Sequence, residues 1–236
     1  MFERRTSLPI LLSFSAGYVD AASFVAFRGL FTAHVTGNFV TLGASLIQGT
    51  SGALAKLLAL PVFCVAVIAT RLLNTALSNR HWLALELLIA LKVLLLVAGA
   101  ALAIHFGPFN DVDSAQAVGS GMVLVSAMAI QNAVHRIHLG SMPPSTIMTG
   151  TTTQVMIDLA DRIHAPQGVE SQSGARLVQM STSILVFAMG CGAAALLYSR
   201  LGVECFMVPP IVGILQLIVL RVSRERAPEP SRRTGS

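Results

Sequence analysis

The sequence predicts an all-α polytopic membrane helix bundle, with six spanning helices, two re-entrant or broken Thr-Gly segments, and two inverted structural repeats. Three observations predict it. The first is a set of long, nearly charge-free runs, Leu8–Phe27, Leu54–Leu77, Trp82–Phe106, Ala115–Val134, Leu177–Tyr198 and Val203–Leu220. Each matches the ~17–25 residues a helix needs to cross ~30 Å of hydrocarbon. The second is a Thr-Gly pair in a polar stretch between apolar runs, found twice: Thr36-Gly37-Asn38 and Thr149-Gly150-Thr151. The third is a serial correspondence between the two halves of the chain.

Composition sets the frame. Apolar residues make up 54% of the chain and charged ones 11%, against roughly 25% charged in a soluble domain. The mean hydropathy is +0.72, and no soluble core of this length explains that excess. The net charge of +5 is not a nucleic-acid signal. Arg221, Arg224, Arg226, Arg232 and Arg233 follow the last run and read as a basic cytoplasmic tail under the positive-inside rule. Cys64, Cys191 and Cys205 lie in apolar runs without paired spacing, so neither a disulfide framework nor a zinc site is expected.

Taken in order, Arg4 and Arg5 precede an uncleaved first helix that carries Asp20 about 12 residues in, ~18 Å along at 1.5 Å per residue. The first polar segment follows, then two apolar runs, the second holding Glu86 and Lys92. Ala115–Val134 opens the second half and carries Gln131 and Asn132 at its far end. Residues 145–162 hold Thr146, Thr149, Thr151, Thr152, Thr153, Gln154, Asp158, Asp161 and Arg162, too polar for a single lipid-facing span. The last two runs follow, and Pro209-Pro210 is expected to kink the final helix.

The halves align in four pieces. Residues 15–21 meet 126–132, or, shifted by one, Asp20 meets Asn132; Thr36-Gly37 then meets Thr149-Gly150; Ala55-Lys56-Leu57 meets Ala175-Arg176-Leu177; Glu86 meets Glu204. Serial order of this kind indicates internal duplication. If the polar segments dip in and return, each unit has three spans and the halves are inverted. Loop charge favours that arrangement. It gathers Arg4, Arg5, Arg71, Arg80, Arg136, Arg162, Arg176 and the tail arginines on the cytoplasmic side and leaves Arg28, Lys56 and Arg200 outside. The organisation is then a cytoplasmic N-terminus (1–6), membrane repeat 1 (7–110), membrane repeat 2 (111–222) and a disordered basic tail (223–236).

Asp20 is the sharpest site candidate, because an ionisable group inside hydrocarbon is costly and usually faces the bundle interior with a partner. Its repeat mate is Gln131 or Asn132. Lys92 is the natural partner, with three readings open: pairing with Asp20, attracting an anionic substrate, or snorkelling to the interface. In the polar segments Gly37 and Gly150 permit unusual torsions, and threonine hydroxyls satisfy carbonyls freed by a helix break. His34, Thr36 and Asn38, with Thr149, Thr151 and Gln154, are expected to line the site, the alternative being tight small-residue packing. His135 and His138, one turn apart, read as interfacial residues; no metal site or cofactor is expected, and no hydrolase, P-loop or zinc-protease motif argues for an enzyme.

The stretches SFSAGYVDAASFVAFRGLFTAHVTGNFVTLG and AIQNAVHRIHL…STIMTGTTTQ resemble those of the YoaK-like family of small bacterial inner-membrane proteins of unknown function. The resemblance covers residues 7–222 and implies a six-helix protein of the inner membrane. It matches Asp20, Thr36, Gly37, Asn38, Gln131, Asn132, Thr149 and Gly150 to motif positions without giving them roles. The functional expectation is a transporter or permease of a small polar solute or ion. The rivals are a non-transporting scaffold or sensor and a passive channel. The expected partners are the lipid bilayer and that solute or ion, not nucleic acid; a homodimer is compatible with so small a bundle.

Overall fold

The computed structural model describes residues 7–77, 81–146, 148–164 and 172–225. The N-terminal residues with Arg4 and Arg5, Arg80, and the tail beyond Glu225 lie outside the described residues. Among the described residues eight α-helices follow one another: α1 (Ser7–Ala26), α2 (Gly37–Gln48), α3 (Ala53–Ala76), α4 (His81–Phe106), α5 (Ala115–His138), α6 (Met148–His164), α7 (Gln172–Leu201) and α8 (Val208–Glu225). A 3₁₀ segment, Gly202–Met207, joins the last two. Among the same residues there is no strand.

Five stretches are long and apolar enough to cross a membrane: α1, α3, residues 82–106 of α4, α5, and the continuous run Gly174–Glu225. The fifth is 52 residues long and contains both α7 and α8, so the two final hydropathic runs of the sequence form one stretch turned by the 3₁₀ segment. Contrary to the expectation from the sequence, Pro209 and Pro210 do not sit mid-helix where they would kink it. They stand in the first turn of α8, where the missing amide costs no intrahelical bond. Tyr18 donates its hydroxyl to the Cys205 carbonyl at 2.9 Å, tying the turn before α8 to α1.

Two apolar clusters mark the two ends of the bundle. One joins Leu8 and Leu12 at the start of α1 to Leu85, Leu88 and Ile89 at the start of α4. It also takes in Ile130 and Val134 near the end of α5 and Leu220 near the end of α8. The other joins Ala26 and Phe27 to Ala55 and Ala59 of α3, Ala100 and Ala103 of α4, Ala117 and Val118 of α5, and Cys205 and Phe206. Helices α1 and α4 therefore run in one direction, and α3, α5 and α8 in the other. The tightest seam is α1 against α7: a Cβ on Gly17 would collide with the Phe187 carbonyl, and one on Gly190 with that of Phe14. Such backbone approach is what small residues permit in membranes, where packing replaces the hydrophobic effect.

The short helices α2 and α6 are placed differently. Helix α2 packs on α3, and α6 on α7. The chain leaves α1 and enters α3 at the same end, where Arg28 Nη1 donates to Ser51 Oγ at 3.3 Å. It leaves α5 and enters α7 at the opposite end, where Gln179 Nε2 reaches Met142 Sδ at 3.3 Å. Between those points lie the two connecting loops and their short helices.

Candidate functional site: two loops meeting in the bundle

Asp20 is 3% exposed, and both of its oxygens are engaged. Its Oδ1 accepts from the backbone amides of Thr32 at 2.8 Å and Ala33 at 2.7 Å. Its Oδ2 lies 2.6 Å from His34 Nδ1, a buried carboxylate against a third-exposed imidazole. Because Asp20 sits more than a turn inside the end of α1, these bonds hold the loop after α1 down in the interior. A carboxylate suits this position, because two adjacent amide donors in a dry place need a strong acceptor.

The loop closes on itself through Asn38. Its Oδ1 accepts from the Phe31 amide and its Nδ2 donates to the Phe31 carbonyl, both at 2.8 Å. The side chain is thus occupied in fixing the loop and does not line the cavity. Gly37 is required by packing, since a Cβ there would press on the Phe31 ring at 2.9 Å. Thr36 is exposed and makes no capping bond for α2.

The loop after α5 follows the same plan with weaker chemistry. Asn132 Oδ1 accepts from Thr146 Oγ1 at 2.6 Å, a pairing fourteen residues apart, as are Asp20 and His34. The two loops touch: the Thr146 backbone is a polar neighbour of the His34 ring, whose edge also meets Phe187. Beside this meeting point lies a cavity of about 600 Å³, lined by Asp20, Phe24, Phe31, His34, Thr36 and Phe187 among others.

Lys92 does not pair with Asp20, contrary to the first of the three readings, and it does not snorkel. It is fully buried, and its Nζ donates to Gln131 Oε1 at 2.5 Å and Gln216 Oε1 at 2.8 Å, with Ser15 Oγ at 3.5 Å. Both glutamines are locked in that orientation because their amide nitrogens donate to carbonyls of α1, Leu12 for Gln131 and Leu11 for Gln216. Three neutral acceptors match the three donors of an ammonium. Gln131 also donates to Ser145 at 3.3 Å, next to Thr146. The Lys92 cage and the Asp20–His34 pair are therefore separate polar clusters, joined through the meeting of the two loops.

The remaining predicted residues lie elsewhere. Thr149 and Gly150 are on α6 with Thr151, which is buried, and Gln154 donates to Asp158 at 2.6 Å. His135 is buried, within 3.3 Å of the Met142 carbonyl, where the sequence suggested an interfacial residue. Sequence reasoning missed Ser15, Gln216, Ser145 and the amides of Thr32 and Ala33. Gln216 carried a usable signal, an amide inside LQL of an apolar run; backbone donors carry none. Among the described residues no cluster of three or more metal-binding side chains occurs.

Long apolar helices enclosing buried polar side chains define a multi-pass, membrane-embedded helical protein. The chain belongs to the family described as "Protein of unknown function (DUF1275)", whose model matches residues 8–219. It is similar to the UPF0700 transmembrane protein YoaK of Bacillus subtilis (strain 168), with 28% identity over 234 residues, covering 94% of this chain and 97% of the relative. No solved structure matches it.

Proposed function

We propose that the protein is a transporter or permease that moves a small polar solute or ion through a site where two inverted repeats meet. In this reading six helices span the membrane, α2 and α6 are re-entrant, and both termini are cytoplasmic at the inner membrane. The packing supports it. Exchanging α1 with α5, α2 with α6, α3 with α7, and α4 with the 3₁₀ segment plus α8 carries the main helix contacts into one another. Thus α1 on α7 becomes α5 on α3, and α4 on α5 becomes α8 on α1. The arginines Arg71, Arg136, Arg162, Arg221 and Arg224 fall at the end where α1 begins, which suits a cytoplasmic face.

The observation that carries the reading is the Asp20–His34 pair at the meeting of the two loops, beside a cavity of about 600 Å³. Broken segments entering from opposite sides, with a titratable group between them, are how secondary transporters build midplane sites. A proton or cation arriving at Asp20 Oδ2 competes with His34, and releasing that bond frees the loop. Binding at the site is thereby linked to the position of a segment that separates the two sides. The protein's part is binding and movement, with no covalent step.

Asp20→Asn tests this cleanly. The amide oxygen still accepts from Thr32 and Ala33, so the loop stays down while the charge is gone. Proteoliposomes carrying the variant should lose solute uptake, or proton-coupled flux, by at least tenfold while the protein still inserts and folds. Equal flux in wild type and variant would remove the pair from the mechanism. A scaffold, by contrast, would show no flux in either; a passive channel would show flux indifferent to a proton gradient.

A further inference from the structure

A second cavity lies toward the opposite end of α2 from the Asp20–His34 pair and shares with the first only the wall of Phe24 and Val25. It measures about 350 Å³ and is lined by Arg28, Lys56, Thr41, Ser45 and Gln48, with Phe24 and Val25 along its wall. Among the described residues no carboxylate lines it. Two cations and the Gln48 amide thus face one space, while the Thr41 and Ser45 hydroxyls donate to the Asn38 and Thr41 carbonyls of their own helix.

The cavity is built, not incidental. Lys56 is 4% exposed although it stands in the first turn of α3, where a lysine would ordinarily extend into water. Its Nζ donates to Ser45 Oγ at 2.6 Å. It packs beside Gly29 and Gly52, both at positive φ, where other residues would be strained. Asp113 acts on Lys56 electrostatically, but its oxygens accept from the amides of Gly52 at 2.8 Å and Leu54 at 3.3 Å. Arg28 holds its guanidinium near Ser51 from a backbone φ of 48°, a region that non-glycine residues rarely occupy without compensation.

We propose that this cavity binds a phosphate group, held between the Arg28 guanidinium and the Lys56 ammonium. Arginine forks and lysine point charges are the side chains that take phosphate oxygens. The same chemistry is offered by free inorganic phosphate and by the headgroup of an anionic phospholipid. In the second case the acyl chains lie along Phe24 and Val25, which are 40% and 45% exposed.

The test uses the full-length protein and the substitutions Arg28→Asn and Arg28→Lys. Asparagine tolerates positive φ better than most residues, so the fold is retained while the guanidinium is lost. One arm measures the thermal shift given by inorganic phosphate over chloride at equal ionic strength. The other measures, by native mass spectrometry, phosphatidylglycerol retained after release from nanodiscs, against phosphatidylcholine. Binding in either arm that falls at least tenfold in Arg28→Asn and survives in Arg28→Lys supports the site, and the responding arm names the source of the phosphate. Wild-type protein that prefers neither probe, or Arg28→Asn that binds as wild type does, overturns it. Neither outcome depends on transport.

Discussion

The loop after α1 and the loop after α5 are each tied to the preceding helix by a contact fourteen residues apart, yet they are held by different chemistry. Asp20 gathers two backbone amides and an imidazole; Asn132 accepts a single hydroxyl, from Thr146, and directs its amide to the Met128 carbonyl of its own helix. One architecture therefore admits a charged anchor on one side and a neutral anchor on the other. The difference shows that the carboxylate is not needed merely to bring a loop inward, since an amide does so in the second half. What the carboxylate adds is charge, placed against a histidine.

The comparison can be broken most strongly at Asp20. Asp20→Ala strands the two amides of Thr32 and Ala33 in the interior and removes the partner of His34, and a loss of about 2–5 kcal/mol is expected from two unsatisfied buried donors. Thermal unfolding in detergent reads it. Next comes Lys92→Met, which leaves Gln131 and Gln216 with acceptors aimed at an apolar chain; about 1–3 kcal/mol is expected from the unsatisfied oxygens, read in the same way. Asn132→Ala should cost less than Asp20→Ala, about 0.6–2 kcal/mol, the range for polar contacts between helices in membranes. A cost equal to that of Asp20→Ala would abolish the distinction between the loops. The smallest effect belongs to Arg224→Gln, at a contact in neither loop. Arg224 reaches Glu86 at 3.2 Å from an exposed position, and less than about 1 kcal/mol is expected.

Hydropathy made the long helices legible, because lipid solvation acts on side chains and leaves a direct trace in composition. Asp20 stood out by its depth in the first helix, and the structure buries it. The sequence could not disclose the partners. Asp20 is satisfied mainly by backbone amides, which nearly every residue possesses, so nothing in the letters Thr32 and Ala33 marks them. Lys92 was matched to the available acid, but electrostatic reach says little about which helix faces which, and two glutamines from α5 and α8 surround it instead. Asn38 looked like a ligand because amides line polar sites; its reciprocal bond to Phe31 depends on the length and path of the loop. Thr149 and Gly150 stand out by echoing the Thr36-Gly37 pair, but a two-letter match says nothing about which way a side chain faces, and both lie on α6 away from Asp20.

The sequence separations of these bonds also order the protein's biosynthesis. Asp20 finds its partners within fourteen residues, so the nascent chain neutralises that cost almost as soon as the first hairpin leaves the ribosome. Lys92 waits 39 residues for Gln131 and 124 for Gln216, and Gly17 waits even longer for the α7 backbone. A ribosome stalled before the last two helices would thus leave in the bilayer a chain whose first loop has all its partners and whose central ammonium has Gln131 but still lacks Gln216.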